Sequence, residues 1–88
     1  MATSAKKMTE LALALIAQTP DDLASMQQKL DEIIEQIARF ELRKSDAMWA
    51  GDAEKANGIG YQIILRQVAR KELRRKIKAK TKESEDDM

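Results

Sequence analysis

The sequence predicts an all-α protein: a helical hairpin of two long antiparallel helices plus a short N-terminal helix, dimerising into a bundle. Three observations lead to it. Ala, Leu, Ile, Gln, Glu, Lys and Arg dominate a chain of 88 residues with one Trp, one Tyr and one Phe, which is the composition of long helices. Apolar residues recur at steps of three and four through two long runs. All three glycines, with the only tryptophan and tyrosine, gather in "MWAGDAEKANGIGYQ" (48–62), which divides those runs.

The first helix is expected over about 4–18. Lys6 and Lys7 before "LALALIA" have the look of a secretory signal, but Glu10 interrupts the apolar run. An ordinary helix fits better. Met8, Leu11, Ala12, Leu15 and Ile16 share one face, and Thr3 or Ser4 can cap it. No run is apolar for the length a bilayer requires.

"QTPDD" marks the start of a second helix, about 20–50. Thr19 is the expected N-cap, Pro20 suits the first helical position, and Asp21 and Asp22 complement the positive end of the helix dipole. Leu23, Met26, Leu30, Ile33, Ile37 and Phe40 then form a heptad seam that resumes at Ala47 and Met48. A second stripe, Ile34, Ala38, Leu42 and Trp49, lies about 80 to 100 degrees around the same helix. One neighbour cannot cover both.

The third helix is expected over about 53–80. Ala56, Ile59, Ile63, Leu73 and Ile77 line one side, with Arg66 and Arg70 between them, and Tyr61, Ile64, Leu65 and Val68 line another. This second face is the expected interaction face. The turn is placed at Gly51, with Asp52 as the next N-cap, rather than at 57–60, because Ala56, Ile59 and Ile63 stay in phase with the later helix. Gly58 and Gly60 then fall inside a helix, where each costs roughly 1 kcal/mol relative to Ala, so a close approach by Trp49 or a neighbouring helix is expected. Residues 1–82 are taken as one domain, and 83–88 as a disordered acidic tail.

The turn also bears on function. "GIGYQI" lacks the third glycine of a dinucleotide fingerprint and follows no strand, and no lysine and hydroxyl pair completes a P-loop. Trp49-Ala50-Gly51 followed by "DAEKA" resembles the turn of the WXG100 family of small secreted helical hairpins, and the resemblance implies dimeric four-helix bundles exported by a specialised system. The chain departs from that pattern at Pro20, in its strongly basic last helix and in lacking a tyrosine-based export tail.

Absent chemistry narrows the function further. There is no histidine and no cysteine, so the commonest general base, the thiol nucleophile and the usual transition-metal ligands are missing. The carboxylates Asp31, Glu32 and Glu35 read as a solvated helix face. No enzyme, metal or cofactor is expected, and the lack of cysteine fits a reducing compartment such as the cytoplasm.

One local bias remains. Overall charge is nearly balanced, with 16 basic and 15 acidic residues, yet "RQVARKELRRKIKAKTK" carries nine cations against Glu72 alone. Pairing across the hairpin would set Arg66 and Arg70 near Glu35 and Glu32, Arg74 near Asp31, and Lys80 near Asp21 and Asp22. Lys71, Arg75, Lys78 and Lys82 instead form one outward stripe without evident internal partners. The expectation is a non-enzymatic homo-oligomer whose stripe contacts a polyanion, nucleic acid first. The alternative is an adaptor, scaffold or inhibitor that docks an acidic protein partner.

Overall fold

The amphipathic runs become three helices, with no strand among the described residues. The computed structural model describes residues 5–86, so Thr3 and Ser4 lie outside the described residues, as do 87 and 88 of the expected tail. Helix α1 spans Ala5–Ile16, α2 Leu23–Trp49 and α3 Ala53–Asp86. Helices α2 and α3 pack along their length, and α1 lies mainly against α3.

The connection between α1 and α2 departs from expectation. Thr19 N–H donates to the Ile16 carbonyl at 3.1 Å, which makes Thr19 part of the exit from α1 and leaves Pro20 in the linker. Asp22 is the N-cap instead. Its backbone is extended (φ −120°, ψ 154°), and its carboxylate accepts from the Ser25 N–H at 2.7 Å and the Ser25 hydroxyl at 2.9 Å.

The second turn falls at Gly51, as expected. Asp52 N–H donates to Ala47 O at 2.9 Å and Gly51 N–H to Met48 O at 3.1 Å, the paired bonds of a Schellman ending. Gly51 has φ 77°, a left-handed conformation that strains residues carrying a Cβ. Asp52 then caps α3 through the Lys55 N–H at 3.0 Å.

Helix α3 outruns the predicted end at Lys80. It continues to Asp86, so residues 83–86 are helical rather than disordered tail. No glycine or proline follows Gly60 to stop it, and Lys, Glu and Ala are good helix formers. The Thr81 hydroxyl donates to the Ile77 carbonyl at 2.9 Å without breaking the turn.

The core is a single cluster built from all three helices. Met26, Leu30, Ile33 and Ile37 of α2 meet Ile63, Ala69 and Leu73 of α3, and Ala12 and Ile16 close it from α1. Phe40, Ile59 and Ile77 pack on its edges. No polar or charged residue is fully buried among the described residues. The molecule measures 56 × 26 × 17 Å, too thin for this core to enclose every apolar stripe.

Candidate functional site

Lys71, Arg75, Lys78 and Lys82 are all exposed on one side of α3. From first to last they span about 16 Å at the helical rise. Arg75 has a partner that the sequence reading did not supply: its guanidinium lies 3.7 Å from the Glu72 carboxylate one turn away on the same helix. That pair is long and solvated, so it holds Arg75 weakly. Lys71, Lys78 and Lys82 form no ion pair among the described residues.

The neighbouring cations divide differently from expectation. Lys80 does reach Asp21, at 3.8 Å. Arg66 takes no carboxylate. It is half-buried, its Nε donates to Gln36 Oε1 at 2.9 Å, and Nη1 donates to Gln62 Oε1 at 2.7 Å. Its guanidinium carbon sits 4.6 Å from the centre of the Phe40 ring, with Arg43 at 5.7 Å from the same ring. A planar cation can stack on an aromatic face while its edge bonds to amides, which two carboxylates on a remote helix would not permit. Glu35 and Glu32 are taken instead by residues of their own helix, Arg39 at 2.6 Å and Lys29 at 3.4 Å. Neither Arg70 nor Arg74 forms an ion pair with α2 among the described residues.

The acidic groups assemble nothing that could hold a cation. Asp31 accepts from the Gln27 amide at 3.3 Å, and no cluster of three metal-capable side chains exists among the described residues. Only the Asp22 carboxyl departs clearly from its ordinary value. The Ser25 backbone N–H lowers it most, followed by the Ser25 hydroxyl and then the charge of Lys80.

The expected interaction face is largely spent inside the fold. Leu65 is only 8% exposed and belongs to the core, while Tyr61 and Val68 are half-buried against it. Ile64, at 51%, is the one member open to solvent. Helical periodicity shows that two faces of α3 are apolar but not which one α1 will cover. The uncovered apolar surface lies instead on α2, where Leu42, Met48 and Trp49 are exposed, Trp49 at 88%. Met48 was assigned to the core seam by its spacing, although at 100 degrees per residue it also borders the outer stripe.

The glycines of α3 have no packing reason inside this chain. A Cβ at Gly58 would meet nothing within 4 Å, and one at Gly60 would meet only the Lys44 ammonium end at 3.5 Å. Trp49 approaches neither. A shallow groove lined by Lys44, Ser45, Met48, Gly60 and Ile64 runs between the helices at this level.

No helix among the described residues is long and apolar enough to cross a membrane. Comparison with known proteins finds no matching family model, no matching curated protein and no matching solved structure. The likeness to the WXG100 turn therefore stands on its tripeptide alone.

Proposed function

We propose that this protein is a small, non-enzymatic binding protein of the cytoplasm, a helical hairpin acting as a homo-oligomer, whose last helix contacts a polyanion, nucleic acid in the first instance. One observation carries the reading: Lys71, Arg75, Lys78 and Lys82 stand exposed in a row, and none is engaged by α2. A straight row of cations tracks phosphates spaced along a backbone, and each contact gains by releasing condensed counterions. No base-reading signature accompanies the row, so the binding is to the backbone rather than to sequence.

The acidic-partner alternative keeps one observation of its own. Ile64 continues the cationic row as an exposed apolar residue, a combination that an amphipathic acidic helix would match. Fluorescence anisotropy separates the two. A labelled 20-nucleotide RNA or DNA should bind the wild-type protein, and the variant with all four cations changed to Gln should bind at least tenfold more weakly. Equal affinity of wild type and variant, or binding to an acidic polypeptide but not to the oligonucleotides, would reject the nucleic-acid reading.

A further inference from the structure

The second stripe of α2 has no cover within the chain, and its order of side chains says what fits it. Ile34, Ala38, Leu42, Ser45 and Trp49 follow one another at steps of four, four, three and four along one side. Ile34, Leu42 and Trp49 are all exposed. The stripe runs about 22 Å. Read from either end it is large, small, large, small, large, an order that meshes with its own reverse. Met48 and Ile64 widen it on one side, across the groove that Gly60 leaves open.

We propose that this stripe is the contact between two copies of the chain, packed α2 against α2 in opposite directions, with a two-fold axis passing between residues 41 and 42. Trp49 of one copy covers Ile34 of the other, Ser45 faces Ala38, and the two Leu42 side chains meet at the axis. This rests on the oligomeric part of the proposed function and supplies the surface and orientation it lacks.

Charge selects both the partner and the direction. Between residues 34 and 49 the helix carries Glu35, Glu41 and Asp46 against Arg39, Arg43 and Lys44, a balance that favours an equally balanced partner over a strongly charged one. A parallel pairing would set the two cationic segments of α3 side by side. The antiparallel pairing sends them to opposite ends, leaving both rows of Lys71, Arg75, Lys78 and Lys82 free. The contact is small beside the ~800 Å² per partner of a standard interface, so association is expected in the range of tens of micromolar. Gly60, beside the groove, keeps the approach of the second copy unobstructed.

The absence of cysteine makes the test clean. Leu42→Cys, Ile34→Cys and Trp49→Cys are made singly, checked for helicity by circular dichroism, and oxidised at about 100 µM, where a disulfide requires Cα atoms within about 7 Å. Leu42→Cys should give a covalent dimer alone. Ile34→Cys and Trp49→Cys should each fail alone, their equivalent positions lying about 22 Å apart, and should cross-link when mixed. Sedimentation of the wild type in parallel separates two failures. A wild-type monomer at this concentration would overturn the oligomer and this interface together. A wild-type dimer with no Leu42→Cys product, or with Trp49→Cys linked to itself, would leave the oligomer standing and overturn this interface.

Discussion

Ile33 and Ile34 are adjacent, chemically identical and on the same helix, yet one is 2% exposed and the other 39%. Each belongs to a stripe with helical spacing. The inner stripe, with Met26, Leu30 and Ile37, meets α3 and forms the core, whereas the outer one, with Leu42 and Trp49, meets nothing in the chain. Amphipathic spacing thus states that a face is apolar without stating who covers it. A chain of this size holds apolar residues beyond what its own three helices can enclose, and the surplus is where a partner acts.

The sharpest way to break the comparison is to charge each isoleucine. Ile33→Asp buries an unpaired carboxylate in the core and should cost more than about 3 kcal/mol, enough to abolish cooperative thermal unfolding by circular dichroism. Ile34→Asp should leave the fold intact and act on self-association, seen as a loss of concentration dependence in sedimentation. Equal destabilisation by the two changes would mean that both stripes are core.

The glycines offer a second contrast, of opposite sign. Gly51→Ala forces a Cβ into a left-handed backbone and should destabilise by about 1 to 2 kcal/mol. Gly58→Ala places its methyl in open space within a helix and should stabilise by up to about 1 kcal/mol. Urea unfolding midpoints of the two variants should therefore move in opposite directions. A loss of stability in Gly58→Ala would reveal a close approach on that side of α3.

The smallest effect expected is at the cap of α2. Asp22→Ala removes the acceptor of the Ser25 N–H, whereas Thr19→Ala removes no cap and should be neutral. Because the folded Asp22 carboxyl sits below its ordinary value of 3.8, its contribution is complete above that pH and is lost as pH falls through the lowered folded value. Melting temperatures of wild type and Asp22→Ala should differ by a few degrees at pH 7 and converge as the pH is taken below 3.

These contrasts also mark how far the sequence could be read. The three helices and the Gly51 turn were legible because spacing by three and four, one glycine and the phase of Ala56, Ile59 and Ile63 all agree. The cap was not, since Thr19-Pro20 and Asp22 satisfy the same local rule and only the way α1 ends decides between them. The far end of α3 was misjudged because a run of acids resembles a solvated tail, while lysines and glutamates in the same run are also good helix formers. Leu65 could not be assigned to the core without knowing the side on which α1 lies. Arg66 was paired with Glu35 by charge, but each carboxylate found a cation one turn away on its own helix, and the guanidinium settled among amides and the Phe40 ring. The exposed cationic row was legible because it depends only on helical phase and on the lack of a nearby acid.

That row carries the functional account, and salt dependence of binding tests it most directly. The affinity of a short RNA or DNA should be measured from about 50 to 200 mM salt for the wild type and for the variant with Lys71, Arg75, Lys78 and Lys82 changed to Gln. Four phosphate contacts predict a logarithmic slope of about 3 to 4 per chain for the wild type and a slope near zero for the variant, with helicity unchanged. A wild-type affinity insensitive to salt, or an equal slope in both proteins, would contradict the account and place the contact elsewhere on the molecule.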